Sequence, residues 1–343
     1  MNKTERKIFW NTLCSLEGRD LSADREKLLA TIKYPPLLYR YRPINLKSLG
    51  ALQDNKLFYS AADYYDDPFD TYLRIDWHKV NDGITSINLK SPDAFSQFQE
   101  ACKNFNIGME TTEKMRPQFE SLTHKDLLNA VIDVLVKRIR PMIQKSTYSI
   151  CFSENSCNEN LWLKYADNHK GFCLIYNPYN DANFLCGKEE KCKNCLIAHS
   201  SNSLFPVYYS EEKYDASQYA LSQAVFTFIV EELKNVVLAK KFVEFAPMHW
   251  EREKISLIKH KCHEYDEEWR MLLGATPTDL TCLRWIPYGV ILGLRTEILE
   301  EKLIINAAKQ AGIKHIYQTI ISPLDELDAV ELTNEQIARI LNS

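Results

Sequence analysis

Three short segments place charged and hydroxyl side chains where they could act together. In LLYRYRP (37–43), Arg40 and Arg42 alternate with Tyr39 and Tyr41. On a strand, that alternation puts both guanidinium groups on one face. Such a pair suits a phosphate or carboxylate gripped bidentately; the alternative is a salt-bridged edge strand. In STYSICFS (146–153), Phe152 and Ser153 close a run of β-branched and aromatic residues. A hydroxyl there would fix the backbone of a ligand-binding strand, bond a carboxylate, or simply start a turn. In DEEWR (266–270), strand alternation would align Asp266, Glu268 and Arg270 on one face. Two carboxylates and a guanidinium beside the apolar MLLG run make a partly desolvated cluster. That is either a site with shifted pKa values or a structural ion-pair network.

Other groups are candidates for binding. Asp66, Asp67 and Asp70 in the DDPFD loop could hold Mg²⁺ or Ca²⁺, or join Asp266 and Glu268 in a two-metal nuclease centre. The commoner role for such a loop is a tight turn whose carboxylates cap nearby N–H groups. Trp162, Tyr165, His169 and Lys170 fall at helical spacing, so they would present either a face that stacks a base or nicotinamide, or a core face. Cys186, Cys192, Cys195 and His199 follow the pattern C-x5-C-x2-C-x3-H. These four ligands could wrap a structural zinc ion. His260, Cys262 and His263 are additional candidate ligands.

The elements that must position these groups follow from periodicity and punctuation. Residues 1–34 read as an N-terminal helical segment stopped by Pro35 and Pro36. Strands are expected at 37–43, 146–153, 172–177, 205–210, 267–275, 288–294 and 315–321, a short helix at 158–170, and within 48–61 a helix, a turn at Asp54-Asn55 and a strand ending near Ser60. Residues 90–145 and 211–262 read as largely helical insertions, the second holding one long helix at 216–248. With no regular βαβ rhythm, no G-x-G-x-x-G and no linker, residues 35–343 form one α+β domain around a mixed or antiparallel sheet.

The chain's 343 residues, 45% hydrophobic and 26% charged, are enough for a self-sufficient core. The net charge of −4 excludes a surface that is basic overall, though not a local basic groove. The polar start and the lack of a run of ~18 apolar residues predict no leader and no membrane span. The expected place is the cytoplasm, with the cysteines reduced.

Four segments, LLYRYRP (37–43), KLFYSAADYYDDPFD (56–70), YSICFSENSCNENLWLKYADNHKGFCLIYN (148–177) and EYDEEWRML (264–272), resemble the domain-of-unknown-function 2971 family. The resemblance spans roughly residues 37–295; the chain departs from the family pattern with Asp66 in place of Asn and His263 in place of Trp. More distantly, the order Arg, aromatic-Ser, acid-x-Glu is similar to the Arg–Ser–Glu signature of mono-ADP-ribosyltransferases. That resemblance implies a split sheet and NAD as substrate. It implies that Arg40 contacts phosphate, that Ser153 shapes the nicotinamide pocket beside Phe152, that Glu268 is the catalytic acid, and that Asp266 orients an acceptor. It also implies a protein or nucleic-acid acceptor, a regulatory partner protein and a toxin or phage-defence role. The other readings are a metal-dependent nuclease and a non-catalytic nucleotide sensor.

Overall fold

The computed structural model describes all residues except 87, 105–107, 181–182, 186–202, 233, 235, 246–247, 274–276 and 279–280. The fold is mixed α/β around a mixed sheet. Its strands are β1 (Leu38–Arg42), β3 (Ser60–Ala61), β4 (Tyr148–Ser153), β5 (Phe172–Tyr176), β7 (Ser203–Pro206), β10 (Glu268–Leu273), β12 (Gly289–Leu292), β13 (His315–Ile321) and β14 (Leu327–Glu331), in the order β14-β13-β12-β5-β1-β4-β10-β7 with β3 beside β4. Two smaller sheets lie outside it. One joins β2 (Lys56–Phe58), β11 (Cys282–Arg284) and β6 (Asn183–Leu185); the other pairs β8 (Tyr208–Ser210) with β9 (Ile258–His260).

Apolar alternation seats the sheet. Ile150 and Phe152 of β4, Trp269 and Met271 of β10, and Leu174 and Tyr176 of β5 pack in one core that also holds Ile304 and Ile305 of helix Ile298–Gln310. On the other face, Tyr41, Trp162, Cys173, Ile175 and Ile291 form a second cluster. The first predicted helix is two, Lys3–Cys14 and Leu21–Leu29, both finished before the prolines and separated at Gly18, whose φ is +72°. The expected helix at 216–248 is interrupted: Ser217–Thr227 runs into a π-helical turn at Phe228–Glu232, and a separate helix spans Val236–Phe245. The strand expected at 205–210 is also two, split at Val207. Periodicity missed β11, β14 and the short strand β9. It also missed two parallel pairings, β12 with β13, which helix Ile298–Gln310 connects in a βαβ unit, and β8 with β9.

The pairing of β1 with β4 creates the opening described below. β4 is paired along its whole length with β10, from Glu268↔Ser153 to Leu273↔Tyr148. Its other edge is shared: β1 pairs with it only at Tyr39↔Ser153, and β3 only at Ser149 and Tyr148. Between those two contacts the β4 edge faces no strand. β1 is held instead by β5 in five register pairs.

Two glycines let the backbone close around the far side of this opening. A Cβ on Gly171 would lie 2.2 Å from the carbonyl oxygen of Arg42, and one on Gly293 would lie 2.2 Å from that of His169 and 2.7 Å from that of Gly171. Backbone atoms at such distances cannot move aside independently. Gly293→Ala is expected to destabilise the protein by about 2–3 kcal/mol, as overpacking does. Urea unfolding with an unchanged m-value would register it, and a loss under 0.5 kcal/mol would mean that the loops relax.

Candidate functional site

The gap between β1 and β4 opens into a cleft of about 550 Å³. Ser149, Cys151 and Ser153 point into it from β4, and Glu268 and Arg270 point into it from β10. These residues alternate with the buried Ile150, Phe152, Trp269 and Met271, of which Phe152 alone also reaches the cleft, so one core largely fixes which side chains line it. Arg40 and Arg42 share a strand face with the buried Leu38, opposite Tyr39 and Tyr41, yet all four line the cleft because the strands part there. Arg40 fills part of the gap: Nη1 donates to the carbonyl oxygen of Cys151 at 2.8 Å, and the guanidinium lies 5.8 Å from the centre of the Phe152 ring. It meets one backbone acceptor of β4's unpaired edge.

A buried charge network forms the opposite wall. Arg270 grips Asp70 through two nitrogens, Nη1 to Oδ1 at 2.7 Å and Nη2 to Oδ2 at 2.6 Å. Its Nε donates to Glu268 Oε1 at 2.6 Å, and Nη1 also reaches the Ser256 carbonyl at 2.7 Å. Lys259 completes the network, with Nζ 2.9 Å from Glu268, 3.1 Å from Asp266 and 3.6 Å from Asp70. His263 stands at the rim, 3.4 Å from Asp67 and 3.9 Å from Asp266.

The two acids on this wall are driven apart. Burial opposes ionisation of Glu268, but Arg270 and Lys259 outweigh it and hold the carboxyl well below the usual range. Asp266 is raised, by burial first and then by the neighbouring Glu268, against the pull of Lys259. Both oxygens of Glu268 are engaged, whereas only Oδ2 of Asp266 has a partner among the described residues. Asp266 is therefore the acid with acceptor capacity left for a ligand. Cys151 beside them stays a thiol, pushed up to about 12 by burial and then by Glu268.

The arginines opposite have the reverse character. Both are half-buried and neither has a carboxylate partner among the described residues. Burial lowers each, and Arg40 acts on Arg42 as a like charge, bringing it to about 10, so both remain cationic at neutral pH. Two guanidinium groups without a carboxylate partner among the described residues stand in a cleft also lined by Tyr39, Tyr65 and Tyr165, an arrangement with the chemistry to receive an anion.

The structure brings together Arg40, Arg42, Phe152, Ser153, Tyr165, Asp266 and Glu268, all on the cleft. Two expectations, the alignment of Asp266 with Glu268 and the placing of Trp162 and His169, are corrected, and one of the alternatives for Ser153 is realised. Asp266 does not share a strand face with Glu268: it ends a 3₁₀ turn, Lys261–Asp266, and Glu267 at φ 46° breaks the alternation. Lys259 gathers the two acids instead. Ser153 serves the backbone, its hydroxyl donating to the Asp266 carbonyl at 2.8 Å and accepting from the Asn155 N–H. Trp162 and His169 do not reach the cleft. The helix stops at Tyr165, three left-handed residues at 167–169 turn the chain, and the His169 ring stacks on the buried Trp162 with centroids 6.1 Å apart.

The acids of the nuclease reading meet the same cations. Asp70, Asp266 and Glu268 do converge, and each of them is paired with Lys259 or Arg270. Among the described residues no group of three or more His, Cys, Asp or Glu is arranged to hold a metal ion. Cys186, Cys192, Cys195 and His199 lie outside the described residues. His260 and Cys262 are exposed, and His260 Nδ1 accepts the Cys262 N–H.

Lys259 was not singled out from the sequence. Its signal is a lysine just after the apolar Leu257 and Ile258, in a strand too short for periodicity to reveal. Asp70 was read only as one of three loop acids, although it is the one that is buried.

Residues 161–271 match the family described as Protein of unknown function (DUF2971). That stretch carries Tyr165, Lys259, Asp266, Glu268 and Arg270 and supports the family, over a shorter span than the sequence segments suggest. Arg40, Asp70 and Ser153 lie before it. No curated protein and no solved structure matches the chain.

Opposite pKa directions give opposite stability signs. Glu268 is depressed in the folded state, so its contribution is present above its unfolded value of about 4.3 and is lost as pH falls through the folded value. Asp266 is raised, so its ionisation destabilises the fold at neutral pH, and that cost disappears below its unfolded value of about 3.9. At pH 7, Asp266→Asn is expected to melt at or above the wild-type temperature and Glu268→Gln well below it. Arg270→Met, which strands Asp70 and Glu268, is expected to cost about 3–5 kcal/mol. A fall for Asp266→Asn comparable to that for Glu268→Gln would refute the assignment of Asp266 as the strained acid.

Proposed function

We propose that the cleft binds a dinucleotide such as NAD and cleaves its nicotinamide–ribose bond, transferring ADP-ribose to an acceptor. The observation that carries this reading is the pair of uncompensated arginines, Arg40 and Arg42, facing Asp266 across a cleft with tyrosine walls. In this reading the arginines take the pyrophosphate, and a flat base or nicotinamide packs against Tyr39, Tyr65 or Tyr165. Breaking the C–N bond leaves its electron pair on nicotinamide and positive charge on the ribose, which a nearby carboxylate favours. Asp266, with a free oxygen and a raised pKa, is suited to accept the acceptor's proton. Glu268 acts through its ion pairs as a positioning residue and supplies fixed negative charge. A toxin or phage-defence role belongs to the same proposal.

A second reading, a nucleotide-binding module without chemistry, is favoured by one observation: both Glu268 oxygens are already bonded to cations. Nicotinamide release from NAD separates the two, measured with and without cell lysate as acceptor source. Asp266→Ala is expected to reduce release by about 10²-fold, and Arg40→Met to raise KM for NAD more than it lowers kcat. Dinucleotide binding by folded wild-type protein with no release under any condition would leave the binding module; no binding at all would sink both readings.

A further inference from the structure

A second cavity of about 280 Å³ shares a wall with the cleft: Asp67, Asp70, Lys259 and His263 line both. Asp266 lines the cleft alone, but its carboxylate meets two residues of that wall, Lys259 at 3.1 Å and His263 at 3.9 Å. Asp266 is only 9% exposed. Once a dinucleotide fills the cleft, the shared wall is the approach left to this acid.

The lining of the second cavity determines what it can hold. Histidines aside, its charged residues among those described are Asp67, Asp70 and Glu212 against Arg74, Lys213 and Lys259. Balanced charge selects neither an anion nor a cation, and a ligand of either sign meets three like charges. A neutral group large enough to fill the space would strip these charges of solvent, which is costly. Water serves both kinds, donating to the carboxylates and accepting from the ammonium and guanidinium groups. Each molecule needs roughly 30 Å³ and a few polar partners, so this cavity takes several.

We propose that the acceptor of the transfer is water supplied from this second cavity, so that the protein hydrolyses the dinucleotide and modifies no macromolecule. The inference rests on the reaction proposed above. As the bond to nicotinamide breaks, its electron pair leaves with nicotinamide. A lone pair of the water oxygen forms the new bond to the anomeric carbon. A proton of that water passes to Asp266, beside the shared wall, and from there to solvent. The products are nicotinamide, free ADP-ribose and a proton.

The test follows the ADP-ribose of NAD labelled on its adenylate phosphate, with the whole chain alone and with added cell lysate, lysate by itself serving as the blank. Free ADP-ribose is expected to equal the nicotinamide released in both, with no label on protein or nucleic acid. Cys262 lines the second cavity but not the cleft, and it is exposed. Cys262→Trp narrows the cavity and is expected to lower kcat about tenfold, with KM for NAD and the melting temperature unchanged. Label on macromolecules, or release that needs lysate, overturns the proposal and leaves the reaction standing. Release by folded Cys262→Trp protein at the wild-type rate overturns it as well, because water then reaches Asp266 by another route. No nicotinamide release under any condition defeats the reaction itself and the inference with it.

Discussion

The Arg270 guanidinium is the constraint from which the rest of the site follows. It is almost wholly buried on β10, between β4 and the edge strand β7, and a buried charge is tolerated only when its donors are met. Asp70 takes two of its nitrogens, Glu268 takes the third, and the Ser256 carbonyl shares one. Each partner belongs to a different part of the chain: the acidic loop, β10 itself and the segment entering β9. Satisfying one side chain therefore fixes three walls of the cleft. Buried ion networks are seldom the most stable solution available to a core. In this protein the network gives definite placement to Lys259, and through it to Asp266, the acid left partly unsatisfied.

The opening itself is a consequence of strand pairing. Had β1 followed β4 along its length, Arg40 and Arg42 would point into the apolar core with Leu38. The single pairing at Tyr39↔Ser153 lets them emerge beside the tyrosines of the opposite face. Cations without carboxylates on one wall and acids crowded by cations on the other give the cleft a strong field across its width, and its low-dielectric lining preserves that field.

Much of this could be read from the residues, and the failures have definite causes. β4 and β5 carry β-branched and aromatic runs and β10 carries Trp269 and an apolar Met-Leu-Leu run, all largely buried, so their positions were plain. The Arg40/Arg42 pair was legible because alternation is a local property; whether carboxylates would neutralise it was not, since that depends on strands more than a hundred residues away. The alignment of Asp266 with Glu268 failed at one residue, Glu267, whose left-handed backbone no pattern announces. The aromatic face on the helix after Asn158 failed because helical spacing was extended past Tyr165 into a tight turn. Lys259 was missed because three-residue strands have no period, and the parallel pairs were missed because two isolated crossovers make no rhythm.

The separation in sequence of the cleft's walls has a consequence for how the protein is made. Asp70 and Arg270 are 200 residues apart, and a ribosome adding roughly 5–20 residues per second takes about 10–40 s to span them. Throughout that interval the nascent chain has its arginines and its acidic loop but not the strand that fixes them. Any polypeptide cut short before β10 lacks the wall that carries Glu268 and Arg270. An intact cleft therefore exists only in chains translated beyond β10, a delay written into the topology itself.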